Sequence, residues 1–179
     1  IFTSDNGATY NGGTDSPWFN SGGPFKSEYG WGKGYTHEGG IRTPMVASWP
    51  AKIKPGGVSE HISAFYDVMP TLCEIAGVEP NESTDGISYL PALLGENQPA
   101  HKHLYWEFPS YGGQQAVRKG RWKAIRKDIM KGNMDIELYN LEDDIQELNN
   151  VADNHPEVVK QMEDILIKEH VQAKSERFR

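Results

Sequence analysis

The stretch that decides the fold runs from residue 32 to residue 49 and reads GKGYTHEGGIRTPMVASW. Its first half carries Lys33, a compact cation whose two flanking glycines let the backbone approach an anion closely. Its second half, residues 45–49, is an apolar run typical of a strand buried on both faces of an α/β sheet. The stretch therefore predicts an anion-binding loop that leads into a sheet strand. A solvated loop lysine is the alternative reading of Lys33.

The composition is that of an acidic chain with enough apolar residues for a packed core. Of 179 residues, 37% are hydrophobic and 11% aromatic, and the formal net charge is −7. Lys and Arg are scattered, so nucleic acid is not an expected partner. The one cysteine, Cys73, excludes an internal disulfide and a cysteine metal cluster. No apolar run approaches the ~20 residues of a membrane span.

The residues around the deciding stretch divide the chain into two parts. Residues 1–3 predict a short strand, residues 8–34 an ordered functional loop, and apolar spacing over 62–76 a helix that ends at Gly77. Beyond Pro99, short strand-like runs between glycine-containing turns predict an antiparallel meander. Asn154 and Glu157 predict the capped start of a final helix.

These patterns predict an α/β fold with two regions. Residues 1–99 are the expected tail of an α/β domain, and residues 100–179 the expected small α+β subdomain with an antiparallel sheet and a C-terminal helix. The natural N-terminus is expected to lie upstream, because the chain starts at what reads as a strand end. An α/β domain without its partner strands would expose an apolar face, so self-association of this chain is also expected.

Asp5 and Asn6 are the candidate metal ligands. They place a carboxylate and an amide carbonyl on adjacent residues after the first predicted strand. Both groups are hard oxygen ligands suited to Ca²⁺ or Mg²⁺, and ligands of open α/β sheets bind beyond the carboxyl ends of the strands. An Asx turn is the alternative, since Asp-Asn-Gly is a common turn sequence.

Other polar residues have weaker signals. Glu38 and Arg42 could pair across the Gly39-Gly40 turn, and His37 could donate a proton or contact substrate, or be a bystander in the loop. Trp106 and Gln115 are candidates for a sugar pocket, with a place in the core of the meander as the alternative. Residues 81–83 have the form of a glycosylation sequon.

Taken together, in this order and spacing, FTSDNG at 2–7 and KGYTHEGGIRTPMVASWP at 33–50 resemble the type I sulfatases of the alkaline phosphatase superfamily. Residues 67–77, 85–95 and 137–150 resemble later segments of arylsulfatases and N-acetylgalactosamine-6-sulfatases, so the resemblance covers nearly the whole chain. It implies the C-terminal part of an alkaline phosphatase-like sulfatase domain followed by the family's small subdomain.

The resemblance also implies a chemistry for individual residues. Asp5 and Asn6 match the second half of the family's calcium site, and Lys33 matches the lysine that contacts the sulfate group. The nucleophile of such enzymes is a formylglycine made from Cys or Ser in a C/S-x-P/A-x-R motif, which is expected upstream. Cys73 precedes Glu-Ile-Ala and does not match that motif. The chain by itself is therefore predicted to be inactive without the N-terminal part of the same protein.

The implied substrate is a sulfated glycan or an aryl sulfate, in a periplasmic, secreted or lysosomal location. One alternative is a phosphodiesterase or phosphonate hydrolase of the same superfamily, although Lys33 with EGGIR at 38–42 favours the sulfatase. A second alternative, from another class, is a non-catalytic carbohydrate-binding domain.

Overall fold

The computed structural model describes residues 1–80 and 84–176, and the sequon at 81–83 lies outside them. Three short 3-10 turns lie at Phe65–Asp67, Ile129–Lys131 and Ala152–Asn154. The helices and strands of the described ranges are, in chain order, β1 (Phe2–Thr3), α1 (Ser16–Phe19), α2 (Glu38–Ile41), β2 (Met45–Val46), α3 (Val68–Ala76), α4 (Leu90–Leu94), β3 (Leu104–Phe108), β4 (Gln114–Lys119), β5 (Trp122–Lys127), β6 (Glu137–Asn140) and α5 (Pro156–Glu169).

The predicted mixture of helices with an antiparallel sheet and a C-terminal helix is confirmed. Two compact units make up the chain: residues 1–3 with 45–102, and residues 4–44 with everything from 103 onward. The glycine-rich loop therefore belongs to the same unit as the C-terminal sheet. The predicted division near residue 99 stays a prediction about the parent fold. None of the described helices has the length and apolar character needed to cross a membrane.

The larger unit is built on an antiparallel meander in the order β3-β4-β5-β6. Gly120, with φ 58°, closes the tight turn between β4 and β5, where a side chain would strain the backbone. One face of the sheet packs on α5 through a fully apolar cluster formed by Val117, Ala124, Leu138, Met162 and Leu166. The opposite face carries a second cluster formed by Ala116, Ile125, Tyr139 and Leu141.

The predicted start of the final helix is wrong by one residue. His155 occupies the N-cap of α5 and makes no side-chain capping bond, and Pro156 is the first helical residue. Asn154 lies one residue earlier, at the end of the 3-10 turn. That turn already uses the backbone N–H of Asn154 in a bond to Val151 O, 3.0 Å long, so the chain enters the helix later than the capping pattern implied.

The smaller unit contains β1 and β2, which pair antiparallel. The predicted strand after the glycine-rich loop is present but shorter, and its predicted burial is wrong for this chain: Met45 and Val46 are 43% and 63% exposed. The reason is that β1 is the only strand that pairs with β2 in the described part of the chain. Gly77 ends α3 with φ 69°, as predicted.

A buried carboxylate organises the polar interior of the smaller unit. Asp67 is fully buried and accepts hydrogen bonds from the backbone N–H of Ala64 at 2.7 Å and of Ile87 at 2.9 Å. His101 Nε2 lies 2.9 Å from the same carboxylate. Asp67 thus fastens the residues before α3 to two later segments of the unit.

Candidate functional site

The two predicted motifs lie side by side. The backbone N–H of Gly7 donates to Gly40 O at 2.8 Å, and that of Lys33 donates to Ala8 O at 2.9 Å. Gly7 is required for this approach, because a Cβ atom there would lie 1.9 Å from Gly39 O. The segment with the candidate metal ligands therefore runs along the segment with the candidate sulfate-binding lysine.

The side-chain oxygens of Asp5 and Asn6 have no hydrogen-bond partner among the residues that the structure describes. Asp5 is exposed, and within residues 1–80 and 84–176 its carboxylate has no hydrogen bond or ion pair. The turn is held by Ser4 Oγ, which donates to Asn6 O, and by Asn6 Nδ2, which donates to Gly7 O, both at 2.9 Å. These turn bonds do not use the side-chain oxygens of Asp5 and Asn6. The prediction that both residues bind a metal ion is therefore compatible with a turn at this position. In the same ranges no three His, Cys, Asp or Glu residues group to hold a metal ion.

Lys33 is exposed, and its loop is held by a buried amide from β4. Across the described residues its ammonium forms no ion pair. Gln114, only 1% exposed, donates from Nε2 to Gly34 O at 2.9 Å and accepts at Oε1 from the Thr36 N–H at 3.1 Å. One amide thus clamps the backbone on the C-terminal side of Lys33. Sequence reasoning missed Gln114, since nothing in the strand pattern distinguished it from Gln115.

A buried ion cluster fastens α2 to the sheet. Glu38 is 2% exposed, and its carboxylate lies 2.8 Å from Lys123 Nζ and 3.3 Å from both Arg118 Nη1 and Arg42 Nη1. The predicted pairing of Glu38 with Arg42 is confirmed. Burial raises the pKa of Glu38, but Lys123 and the two arginines outweigh it, so the net pKa is lowered and the carboxylate is ionised.

A second buried carboxylate completes this cluster. Glu147 Oε2 accepts a 2.7 Å hydrogen bond from the backbone N–H of Glu38, and its Oε1 lies 3.6 Å from Lys123 Nζ. Burial raises the pKa of Glu147 to about 7, although the ammonium of Lys123 opposes the shift. Two buried carboxylates therefore share one buried ammonium, which has no exposed surface.

His37 packs as a neutral ring inside the larger unit. It has no exposed surface, its ring centroid lies 5.2 Å from that of Trp31 and 6.1 Å from that of Tyr139, and its nitrogens have no hydrogen-bond partner in the described residues. Burial, followed by the charge of Lys123, lowers the pKa of His37 to about 3. Its role as a substrate contact stays a prediction, and in this chain the ring offers no accessible edge.

Trp106 and Gln115 make their contacts within the sheet region. Trp106 is half-buried against the cluster around Ile125, with Lys123 Nζ 5.4 Å from its ring centroid. Gln115 is 6% exposed and donates from Nε2 to the Tyr105 hydroxyl at 3.1 Å. These contacts are what the core alternative predicted, and a sugar-binding role for either residue stays a prediction.

Comparison with known proteins identifies the chain as the C-terminal part of a sulfatase. Residues 27–172 match the family model for N-sulphoglucosamine sulphohydrolase, C-terminal, and the chain belongs to this family. It is 42% identical to arylsulfatase A of Homo sapiens over 98 residues, and this match covers 52% of the chain and 19% of that protein. It is 29% identical to N-acetylgalactosamine-6-O-sulfatase of Bacteroides thetaiotaomicron over 181 residues, and this match covers 93% of the chain and 35% of that protein.

Solved structures show the same fold. One solved structure comes from work on the metabolism of multiple glycosaminoglycans by Bacteroides thetaiotaomicron. It superposes with a TM-score of 0.74 at 28% identity, over 93% of this chain and 37% of that one. Phosphonate monoester hydrolase of Agrobacterium radiobacter superposes with a TM-score of 0.61 at 25% identity, over 76% of this chain and 31% of that one. The chain thus spans about a fifth to a third of the curated relatives named above.

Replacement of the buried ammonium is expected to destabilise the protein severely. Lys123→Met leaves Glu38 and Glu147 buried without their shared cation, and breaking a buried ion pair costs about 3–5 kcal/mol. The free energy of unfolding, from denaturant titration, measures the effect. Lys160→Met, which removes an exposed lysine paired on the surface of α5, is the matched control and should leave it unchanged. Equal stabilities for the two variants would contradict the assigned role of Lys123.

The buried imidazole of His37 is expected to make stability fall on acidification. Its pKa is 6.5 in an unfolded reference and about 3 in the fold, so the unfolded chain binds a proton that the folded chain does not. The free energy of unfolding therefore falls as the pH drops from about 6.5 toward 3. Glu147 acts oppositely, because its raised pKa removes stability as the pH rises from 4.5 through about 7.

His37→Phe isolates the contribution of the imidazole, since Glu147 stays in both proteins. Thermal melts from pH 4 to 7.5 should show the variant gaining on the unchanged protein as the pH falls below about 6.5. Melting curves that shift in parallel at every pH would rule out a neutral buried His37.

Proposed function

We propose that this chain is the C-terminal part of a calcium-dependent sulfatase that hydrolyses sulfate esters of glycans or aryl alcohols. The observation that carries the proposal is the pair of backbone bonds from Gly7 to Gly40 and from Lys33 to Ala8. They place Asp5 and Lys33, whose charged groups have no partner among the described residues, on neighbouring backbone segments. Two oxygen ligands and a lysine on neighbouring segments suit a substrate whose anionic group binds a metal ion and an ammonium together.

Asp5 and Asn6 would supply two oxygen ligands to a calcium ion. Their chemistry fits a hard cation, because the Asp5 carboxylate is exposed and unpaired in the described residues and the amide of Asn6 is oriented by its bond to Gly7. When bound, the ion would hold the sulfate group and lower the pKa of a coordinated nucleophile. The remaining ligands are expected in an upstream segment, in keeping with the longer relatives.

Lys33 would stabilise negative charge on the ester oxygens. Gln114 fixes the backbone beside it, so the ammonium is presented from an ordered loop rather than from a mobile one. Preorganised positive charge acts at the point where charge develops in the transition state, which is how such groups accelerate ester cleavage.

The nucleophile is expected outside this chain. Cys73 lies half-buried in α3 and lacks the C/S-x-P/A-x-R context of a formylglycine precursor. A formylglycine in an upstream segment would supply the attack on sulfur, and we expect the chain by itself to be inactive. The similarity to a phosphonate monoester hydrolase supports one rival, in which the same scaffold cleaves a phosphonate ester.

Calcium-dependent sulfate release tests this proposal. We expect the whole protein that contains this chain to release sulfate from an aryl sulfate with calcium, and to lose nearly all activity and calcium binding in Asp5→Ala. Asp135→Ala, an exposed carboxylate of the same unit, is the matched control and should behave as the unchanged protein. A fully active Asp5→Ala would remove the metal assignment, and cleavage of phosphonate esters alone would favour the rival.

Lys33→Ala is expected to lower kcat by about 10²–10³-fold in the whole protein, the typical loss when one preorganised charge-stabilising donor is removed. The melting temperature should not change, because the ammonium of Lys33 has no partner among the described residues. Lys52→Ala, another exposed lysine, serves as the control. Unchanged kinetics in Lys33→Ala would exclude a role for this residue in the reaction.

A further inference from the structure

Four tyrosine rings form a continuous ladder in the larger unit. The ring centroids of Tyr10 and Tyr29 are 5.2 Å apart, and those of Tyr29 and Tyr35 are 5.6 Å apart, both edge to face. Tyr35 and Tyr111 are stacked at 5.1 Å with 29° between their planes. Each ring is therefore held by at least one other, in the geometries that aromatic pairs prefer.

Two of the four rings are exposed to solvent, although contacts with other rings hold them in place. Tyr29 is 67% exposed and Tyr111 is 48% exposed. Exposed aromatic surface that is already ordered loses little side-chain entropy when a ligand binds. Aromatic side chains with a few polar groups beside them are a common lining of ligand-binding sites.

The ladder borders the loop of Lys33. The ring of Tyr111 lies so close to Gly34 that a Cβ atom there would be 2.6 Å from Cε2 of the ring. The turn that carries Tyr111 also leads directly into Gln114, whose Nε2 donates to Gly34 O at 2.9 Å. The exposed ring of Tyr111 therefore packs on Gly34, the residue next to Lys33, whose ammonium has no partner among the described residues.

We propose that Tyr111 and Tyr29 form a wall that stacks on a pyranose ring of a sulfated glycan whose sulfate contacts Lys33. The assignment rests on the proposed function of Lys33. A pyranose has an apolar C–H face that matches an exposed aromatic ring, and its sulfate supplies the negative charge that complements the lysine. A ligand with both features in one molecule fits this surface better than a plain anion, which would leave the rings unused.

The test compares a ligand that needs the wall with one that does not. In the whole protein, Tyr111→Ala should raise the KM for a sulfated chondroitin or carrageenan oligosaccharide about tenfold, as the loss of one aromatic stacking partner implies. Inhibition by inorganic sulfate, which contacts only the anion site, should not change. Lys33→Ala should weaken both. Tyr111→Phe, which keeps the ring, should behave as the unchanged protein.

Tyr29→Ala tests the other exposed ring of the wall, which lies in a different segment of the chain. This variant should also raise the KM for the oligosaccharide. The wall is refuted if oligosaccharide KM is unchanged in both alanine variants, or if KM and sulfate inhibition weaken together in each. Failure of the proposed function looks different, since the unchanged protein would then neither release sulfate nor be inhibited by it.

Discussion

The buried ammonium of Lys123 is the group on which the arrangement of the site depends. It lies on β5, 2.8 Å from one carboxylate oxygen of Glu38 and 3.6 Å from one of Glu147. A charge without exposed surface is tolerated only when it is paired, so these residues depend on one another. Because Glu38 begins α2, and α2 contains the Gly40 carbonyl that accepts from Gly7, the cluster fixes both motif segments.

Two groups of charges in the larger unit have different roles. Glu38, Glu147 and Lys123 satisfy one another in the interior, whereas Asp5 and Lys33 are exposed and unpaired among the described residues. The shifted pKa values of Glu147 and His37 are caused first of all by burial. Shifted pKa values often mark functional sites. Here they mark the scaffold, and the proposed ligand-binding residues are recognised by their position and lack of partners.

Local patterns predicted the elements well, and long-range pairs not at all. Alternating runs separated by glycine turns predicted the meander, and Gly77 predicted the end of α3, because both signals act over a few residues. The bond between Lys123 and Glu38 spans 85 residues, and no periodicity encodes such a pair. The choice of Gln115 over Gln114 failed to find the loop clamp for a related reason: neighbours on a strand face opposite sides, and sequence alone does not set the register.

The exposed apolar face of α3 and the exposed tyrosine rings differ in the flexibility of their side chains, and this difference affects what each surface can bind. On α3, Met69, Leu72 and Ile75 are 54%, 52% and 39% exposed, and such flexible aliphatic side chains are stabilised by interdigitation with other side chains. Tyr29 and Tyr111 instead present flat rings whose orientation is set by ring contacts. Hydrophobic spacing predicts that residues share a face, but not what covers it. The fixed orientation of the rings and the nearby ammonium of Lys33, which has no partner among the described residues, are the two features on which we propose the tyrosine ladder as a surface for a small anionic ligand.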